Sequence, residues 1–155
     1  MNHEKRYYVF VVGEQMGCDG CAIPSSHVFK RLAANSRWFL STFTPFRDKY
    51  KPGDQVLFYL AGPKHRYFAG RASVAVKPLP ASQSDLEMLA QLGLFGYEVA
   101  LPLSGVVLFR SPRPMRDLVG NLEFIKDKKN YGLNLRQGAI RISRKDYDYI
   151  VREHA

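Results

Sequence analysis

Cationic, aromatic and amide side chains stand close together in one segment of the chain, Asn121–Ser143. The members that could contact a ligand are Lys128, Lys129, Asn130, Tyr131 and Arg136. In nucleic-acid-binding proteins, cations contact phosphates, aromatic rings stack on bases, and amides hydrogen-bond base edges. Asn130 can donate and accept such bonds, although it is equally suited to cap its turn. The segment therefore predicts one wall of a nucleotide-binding pocket. For Tyr131, the alternative is a loop tyrosine whose ring packs against the rest of the fold.

The overall charge favours an anionic partner. The 155 residues include 23 Lys or Arg against 14 Asp or Glu, a net charge of +9. Such an excess most often indicates nucleic acid, and the alternative is a basic protein without that role. We assign phosphate contacts to four cations, whose alternative is a solvated face: Lys128, Lys129, Arg136 and Arg141. Phosphate contacts add affinity without reading the base sequence.

Trp38, the single tryptophan, offers the largest stacking surface. A ring stacked on a base contributes roughly 1–3 kcal/mol, and the alternative is a tryptophan in the core. Four further residues are candidates for the same pocket: Phe39, Ser41, Tyr59 and Phe68. The aromatic ones lie on or beside predicted strands, where alternation turns about half of the side chains inward. Core packing therefore competes with ligand contact for each of them, and an ordinary loop is the alternative for Ser41.

Catalysis, metal binding and cofactor binding have little support in the sequence. Cys18 and Cys21 form a C-x2-C pair near His27, but zinc requires about four ligands, and the other histidines are terminal or distant. A redox pair is the alternative to two ordinary thiols. The chain has no Ser-His-Asp order, phosphate-cradling glycine loop or dinucleotide fingerprint. We therefore expect no enzyme activity, no metal and no cofactor.

Short strands and helices must position these residues. Runs of aromatic and β-branched residues predict strands at Arg6–Val12, Trp38–Leu40, Val56–Leu60 and Arg66–Val76, and one or two within Tyr97–Phe109. Serine caps predict helices that begin at Ser25-Ser26, at Ser82 or Ser84, and at Ser143, with a helical turn within Pro112–Val119. Hairpins without regular βαβ alternation indicate an α+β fold around a mostly antiparallel, curved sheet.

Length and hydropathy indicate one folded domain, residues 1–155. No apolar run reaches the about 18 residues that a membrane span requires. The first apolar run stops at Gly13-Glu14, too early for a signal peptide. We therefore expect a cytoplasmic protein without membrane contact.

Several stretches, in this order, resemble the EVE domain family, a PUA-like branch related to YTH domains. The matching pieces are YYVFVV at Tyr7–Val12, Arg37-Trp38-Phe39, KPGDQVLFYL at Lys51–Leu60, RYFAGRASVA at Arg66–Ala75, Asn121–Ser143 and DYDYIV at Asp146–Val151. The resemblance implies a pseudo-barrel of about six mostly antiparallel strands with flanking short helices. It also implies a pocket at the barrel mouth, which related domains use for a flipped-out, modified base.

The chain departs from the family pattern at two places. The connection before the tryptophan is longer, because of the loop Gly17–Pro24, and Tyr131 stands where a tryptophan is common. The leading hypothesis is a domain that binds RNA or DNA and holds a modified or flipped-out base without catalysis. A small-molecule or anionic-metabolite module using the same pocket is the alternative, and hydrolysis or redox chemistry at Cys18 and Cys21 is a third. The oligomeric state stays open.

Overall fold

A computed structural model of the protein describes residues 4–13, 15–16, 20–41, 44–46, 49–62, 65–135 and 138–155. Its strands are β1 (Tyr7–Val12), β2 (Gln15–Met16), β3 (Ala22–Ile23), β4 (Arg37–Leu40), β5 (Gln55–Leu60), β6 (Tyr67–Val74), β7 (Leu79–Pro80), β8 (Val99–Leu108) and β9 (Ala139–Ile142). Its helices are α1 (Ser25–Ala34), α2 (Gln83–Gln91), α3 (Met115–Leu118) and α4 (Arg144–Glu153), with 3-10 turns at Val119–Asn121 and Tyr131–Leu135.

One curved sheet carries the fold, in the order β4-β8-β6-β5-β1-β9, with β7 added beside β8. β1 and β5 run parallel, with Val9 opposite Leu57. All other pairs among the described strands of this sheet are antiparallel. Phe10 of β1 nevertheless stacks on Trp38 of β4, at the far end of this order. The sheet therefore curls into a half-barrel, and the predicted α+β class with a mostly antiparallel, curved sheet is confirmed.

Each central strand contributes to two apolar clusters, one on each face of the sheet. The inner cluster lies inside the half-barrel and takes Phe10 from β1 and Phe58 from β5, together with residues of α1 and β4. The outer cluster takes Val9 and Leu57 from the same strands and packs against α3, α4 and the 3-10 turns. Side chains alternate along a strand with a period of two, so neighbours on β1 and β5 face opposite clusters.

The structure tests the predicted starts of α1 and α2 and the predicted strands within Tyr97–Phe109. α1 begins at Ser25, but its N-cap is Pro24, so the predicted serine cap is wrong. The Ser25 hydroxyl instead donates to the Ala61 carbonyl at 2.9 Å, because this serine is buried at the end of β5. Ser82 caps α2 in a capping box with Asp85, as one of the two predicted serines. The segment Tyr97–Phe109 holds one strand, β8, which runs through Pro102, and its pairing with β6 shifts register between Ser104 and Val107.

Asp146 fastens the segment that begins at Asn121. Its backbone N–H donates to the Ser143 hydroxyl at 3.1 Å, as an N-cap requires. Its carboxylate does not return to the cap but accepts the backbone N–H groups of Glu123 and Phe124, both at 2.9 Å. Leu122 and Ile125 are buried in the outer cluster. One buried carboxylate therefore joins the start of α4 to the start of this segment.

His154 lies at the C-terminal end of α4 in an environment that favours its neutral form. Its ring stacks on Phe109, with centroids 4.4 Å apart. Nδ1 lies 2.8 Å from the Ile150 carbonyl, and Nε2 accepts the Arg113 backbone N–H at 3.2 Å. A proton on Nε2 would prevent this nitrogen from accepting the Arg113 N–H. Burial lowers the pKa of His154, the Ile150 bond raises it, and the charges of Arg113 and Glu153 act in opposite directions.

We expect the protein to lose stability on acidification because of His154. A histidine with a depressed folded-state pKa stays neutral in the fold while the unfolded chain binds its proton. The loss begins as pH falls through the unfolded pKa, about 6.5, and is complete below the folded one. Urea denaturation at about pH 8 and about pH 5 should show a smaller loss for His154→Gln than for wild type. His27→Gln is the control, since His27 is exposed. Equal losses in wild type and His154→Gln would contradict the prediction.

Candidate binding site

A cavity of about 70 Å³ lies at the end of the half-barrel where β1 ends. Its apolar wall is formed by Val12, Val28, Leu32, Trp38, Phe39 and Leu94. Polar side chains reach it from Gln15, Thr44 and Tyr97, and the backbone of Gly13 and Gly138 completes it. In liquid water one molecule occupies about 30 Å³, so the cavity is only a few water volumes in size. It is well below the roughly 300–1,000 Å³ of a typical ligand pocket. A base would enter it only if the rim opened.

Trp38 is at once a core residue and a wall of this cavity. β4 pairs with β8, which places Trp38 opposite Leu101. The indole lies nearly parallel to the Phe10 ring, at 5.6 Å between centroids and 6° between planes, and 4.9 Å from Phe58. Only 8% of the residue is exposed. Trp38 is therefore a core residue whose indole also lines the cavity, and its contact with a base stays a prediction.

A turn after β4 holds a hydroxyl at the cavity. The Thr44 Oγ1 accepts the Ser41 backbone N–H at 2.9 Å, and the Thr44 N–H donates to the Ser41 carbonyl at 3.1 Å. The two hydroxyls lie 3.2 Å apart. Ser41 therefore lies beside the cavity as the support of Thr44, which is the residue that lines it.

The lining residues that were not predicted from the sequence include Gln15, Thr44, Tyr97 and Gly138. Gln15 follows β1, and its side chain donates to the Gly13 carbonyl over a long 3.4 Å. Gly138 is held in place because its carbonyl accepts the Val11 N–H at 3.0 Å. The polar pair Glu14-Gln15, soon after the apolar run of β1, was a usable signal for Gln15. The other three come from separate loops, which only the fold brings together.

The structure places the other aromatic candidates on both faces of the sheet. Phe39 lines the cavity with Trp38. Tyr59 and Phe68 are buried in the outer cluster, with ring centroids 5.3 Å apart. Tyr131 is partly buried and packs against that outer cluster. The sheet therefore separates Tyr131 from Trp38, and the structure does not bring them together as opposite walls of one pocket. From the segment Asn121–Ser143, the residue that lines the cavity is Gly138.

The turn at Asn130 is organised by Asp127. The Asp127 carboxylate accepts the backbone N–H groups of Lys129 and Asn130, at 3.1 and 3.0 Å. The Asn130 amide adds a long bond of 3.4 Å to the same carboxylate. Donation from the Asn130 N–H lowers the pKa of Asp127 below its ordinary value, and burial opposes this only in part. In the structure Asn130 thus serves its own exposed turn, in line with the capping alternative.

The four predicted phosphate ligands differ in their surroundings. Lys128 donates its Nζ to the Leu122 carbonyl. Lys129 is exposed, and Arg141 is exposed on β9 opposite Tyr8. Arg136 lies outside the described residues. The structure therefore gathers none of the described three at the cavity beside Trp38.

A second, open depression of about 930 Å³ runs along α4, and we call it the charged groove. Its ionic side chains are Lys128, Arg144, Lys145 and Arg152 together with Glu123, Asp148 and Glu153. Arg144 pairs with Asp148 at 3.5 Å, and Lys145 pairs with Glu123 at 2.9 Å, which raises the pKa of Lys145. Because its cations are largely matched by acids, the groove is a weak site for a phosphate chain.

Neither a metal-binding cluster nor a membrane-spanning helix occurs among the described residues. No group of three or more His, Cys, Asp or Glu residues in that part of the chain is placed to hold a metal ion. Cys21 is exposed, and Cys18 lies outside the described residues. None of the described helices combines the length and apolar character needed to cross a membrane.

Comparison with protein-family models found no match, and comparison with curated proteins found none. Solved structures do match. Human THYN1, in complex with DNA containing 5-methylcytosine, has a TM-score of 0.63 and 13% identity over 97% of this chain and 98% of that one. The DUF55 domain of human thymocyte nuclear protein 1 has a TM-score of 0.63 and 14% identity over 96% and 98% of the two chains.

The YTH domain of MRB1 from Zygosaccharomyces rouxii, in complex with N6-methyladenosine RNA, has a TM-score of 0.57 and 14% identity over 99% of this chain and 90% of that one. These identities are low, so the likeness is one of fold. The chain has the PUA-like fold shared by the DUF55 (EVE) and YTH domains, and the fold that the sequence resemblance implied is confirmed.

Proposed function

We propose that this protein binds nucleic acid and holds a modified or flipped-out base in the cavity beside Trp38, without catalysing a reaction. The observation that carries the proposal is the cavity itself, where a supported indole faces polar groups at the mouth of the half-barrel. Two proteins of the same fold were solved with methylated DNA and methylated RNA. The net charge of +9 adds a general attraction for phosphate.

The lining suits a base that carries an added methyl group. Val28, Leu32 and Leu94 offer an apolar surface, where burying one methyl contributes about 0.8 kcal/mol. Gln15 and Thr44 offer donors and acceptors to a base edge. Extruding a base from a duplex costs a few kcal/mol, which stacking on Trp38 offsets by roughly 1–3 kcal/mol. Because extrusion costs least from a single strand or a mismatch, we propose that single strands or mismatched bases bind best.

The test compares affinities for labelled single strands that carry one 5-methylcytosine, one N6-methyladenosine or no modification. We expect wild type to prefer one modified strand, and Gln15→Leu to weaken binding of that strand by about 1–3 kcal/mol, because one hydrogen-bonding amide is lost. Gln83→Leu is the control, since Gln83 is exposed at the start of α2. Equal affinity of wild type for all strands would overturn the proposal. Salt-independent binding of a free nucleoside alone would favour the small-molecule alternative.

A further inference from the structure

Arg66 has a backbone conformation that does not suit an arginine. Its φ is +66°, in the left-handed region that side chains with a Cβ disfavour. Among the described residues, Ser36 and Phe46 share this feature, and Ser36 directly follows the end of α1, where such a conformation is common. Arg66 directly precedes β6, at the end of the β5–β6 hairpin. Glycine or asparagine is usual where a hairpin requires a positive φ.

The backbone of Arg66 is fixed on both sides. Its N–H donates to the Leu60 carbonyl, and its carbonyl accepts the Met115 N–H, each at 2.8 Å. Its side chain is exposed and forms no hydrogen bond or ion pair within the described residues. The guanidinium lies close enough to Tyr59 to lower the pKa of that phenol, against the stronger effect of burial. Two backbone hydrogen bonds thus hold Arg66 in its strained conformation, and within the described residues the guanidinium adds no side-chain hydrogen bond or ion pair.

Arg66 is not among the residues that line the cavity, but it lies at the same end of the sheet. The Val12 carbonyl, on the cavity wall, accepts the Ala61 N–H at 2.8 Å. β1, β5 and β6 are adjacent, so Arg66 lies about two strand spacings, roughly 10 Å, from Val12. Ser25 pins the hairpin to α1, since its hydroxyl bonds the Ala61 carbonyl at 2.9 Å and lies 3.2 Å from His65 Nδ1. The start of the hairpin is therefore attached to α1, whose Val28 and Leu32 line the cavity.

We propose that Arg66 binds a backbone phosphate of the nucleic-acid strand whose base occupies the cavity beside Trp38. This inference rests on the proposed function. The planar guanidinium offers a fork of N–H donors that matches two phosphate oxygens. Bound phosphate supplies the partner that the chain does not, which explains why an arginine occupies a position that suits glycine. A contact to phosphate contributes affinity for any sequence, whereas the cavity distinguishes the bases.

The experiment measures the affinity of Arg66→Gly for a labelled single-stranded oligonucleotide at several salt concentrations, beside its melting temperature. We expect a severalfold loss of affinity at low salt and a salt slope smaller by about 0.7, the share of one phosphate contact on a single strand. The melting temperature should not fall, because glycine adopts a positive φ without strain. Arg66→Lys should keep the wild-type slope with weaker binding, since an ammonium lacks the planar fork.

Arg116→Ala is the matched control for net charge, because that side chain is 80% exposed and forms only a 4.0 Å ion pair with Asp117. It should bind like wild type. If Arg66→Gly also binds like wild type while the preference for a modified base persists, the Arg66 proposal is overturned and the cavity proposal stands. If Arg66→Gly loses affinity and salt slope but wild type shows no base preference, the cavity proposal fails and the phosphate contact stands. Absence of oligonucleotide binding in wild type overturns both.

Discussion

Trp38→Ala should lower the free energy of unfolding by about 3–5 kcal/mol, the range for truncating a buried tryptophan. The indole is 8% exposed and packs against the rings of Phe10 and Phe58, so its removal leaves a large hole in the inner cluster. It also removes the contact that holds β4 against β1 across the half-barrel. Urea denaturation measures the loss. Phe95→Ala is the matched control, because Phe95 is 69% exposed and its truncation should cost less than about 0.5 kcal/mol.

This expectation decides how Trp38 can be tested as a ligand contact. A binding assay on Trp38→Ala would mix loss of folding with loss of stacking, since both follow from the same ring. Trp38→Phe keeps an aromatic ring between its neighbours and should cost less stability, while offering a smaller surface to a base. We expect it to weaken binding of the preferred strand by about 1 kcal/mol. A loss below about 1 kcal/mol of stability in Trp38→Ala would show that the indole does not support the core.

Asp146→Ala should lower the free energy of unfolding by about 2–4 kcal/mol. The carboxylate is 1% exposed and accepts two backbone N–H groups, those of Glu123 and Phe124. Each hydrogen bond to a charged group contributes about 1.5–3 kcal/mol, and relief of the buried charge offsets part of the loss. Both donors would lose their acceptor at once, and the segment that leads to Gly138 would lose two of its hydrogen bonds to α4.

Two variants distinguish the effect of the Asp146 carboxylate on stability from the effects of neighbouring residues. Ser143→Ala removes only the helix cap and should cost about 1 kcal/mol. Asp148→Ala removes an exposed carboxylate whose ion pair with Arg144 spans 3.5 Å, and should change stability by less than about 0.5 kcal/mol. Hydrogen exchange of the Glu123 and Phe124 amides should accelerate in Asp146→Ala alone. Equal exchange in Asp146→Ala and wild type would mean that these bonds do not hold the segment.

Much of the local structure was predictable because it depends on neighbouring residues. The aromatic and β-branched run of β1 gives a strand by alternation and propensity alone. The Ser82 capping box needs only residues three apart. The turn before β5 needs Gly53, whose φ of +94° suits glycine. The α1 cap failed because Ser25 has a stronger partner in Ala61, which lies far away along the chain.

The candidate site could be predicted only in part, for a physical reason. Residue types alone identify Trp38 as the single tryptophan and Asn121–Ser143 as a basic, aromatic segment. Alternation shows that neighbours on a strand point to opposite faces, but not which face closes inward. That choice follows from α1 covering one face of the sheet and α4 the other, and it separates Trp38 from Tyr131. The same long-range packing brings Gln15, Thr44 and Gly138 together around the cavity.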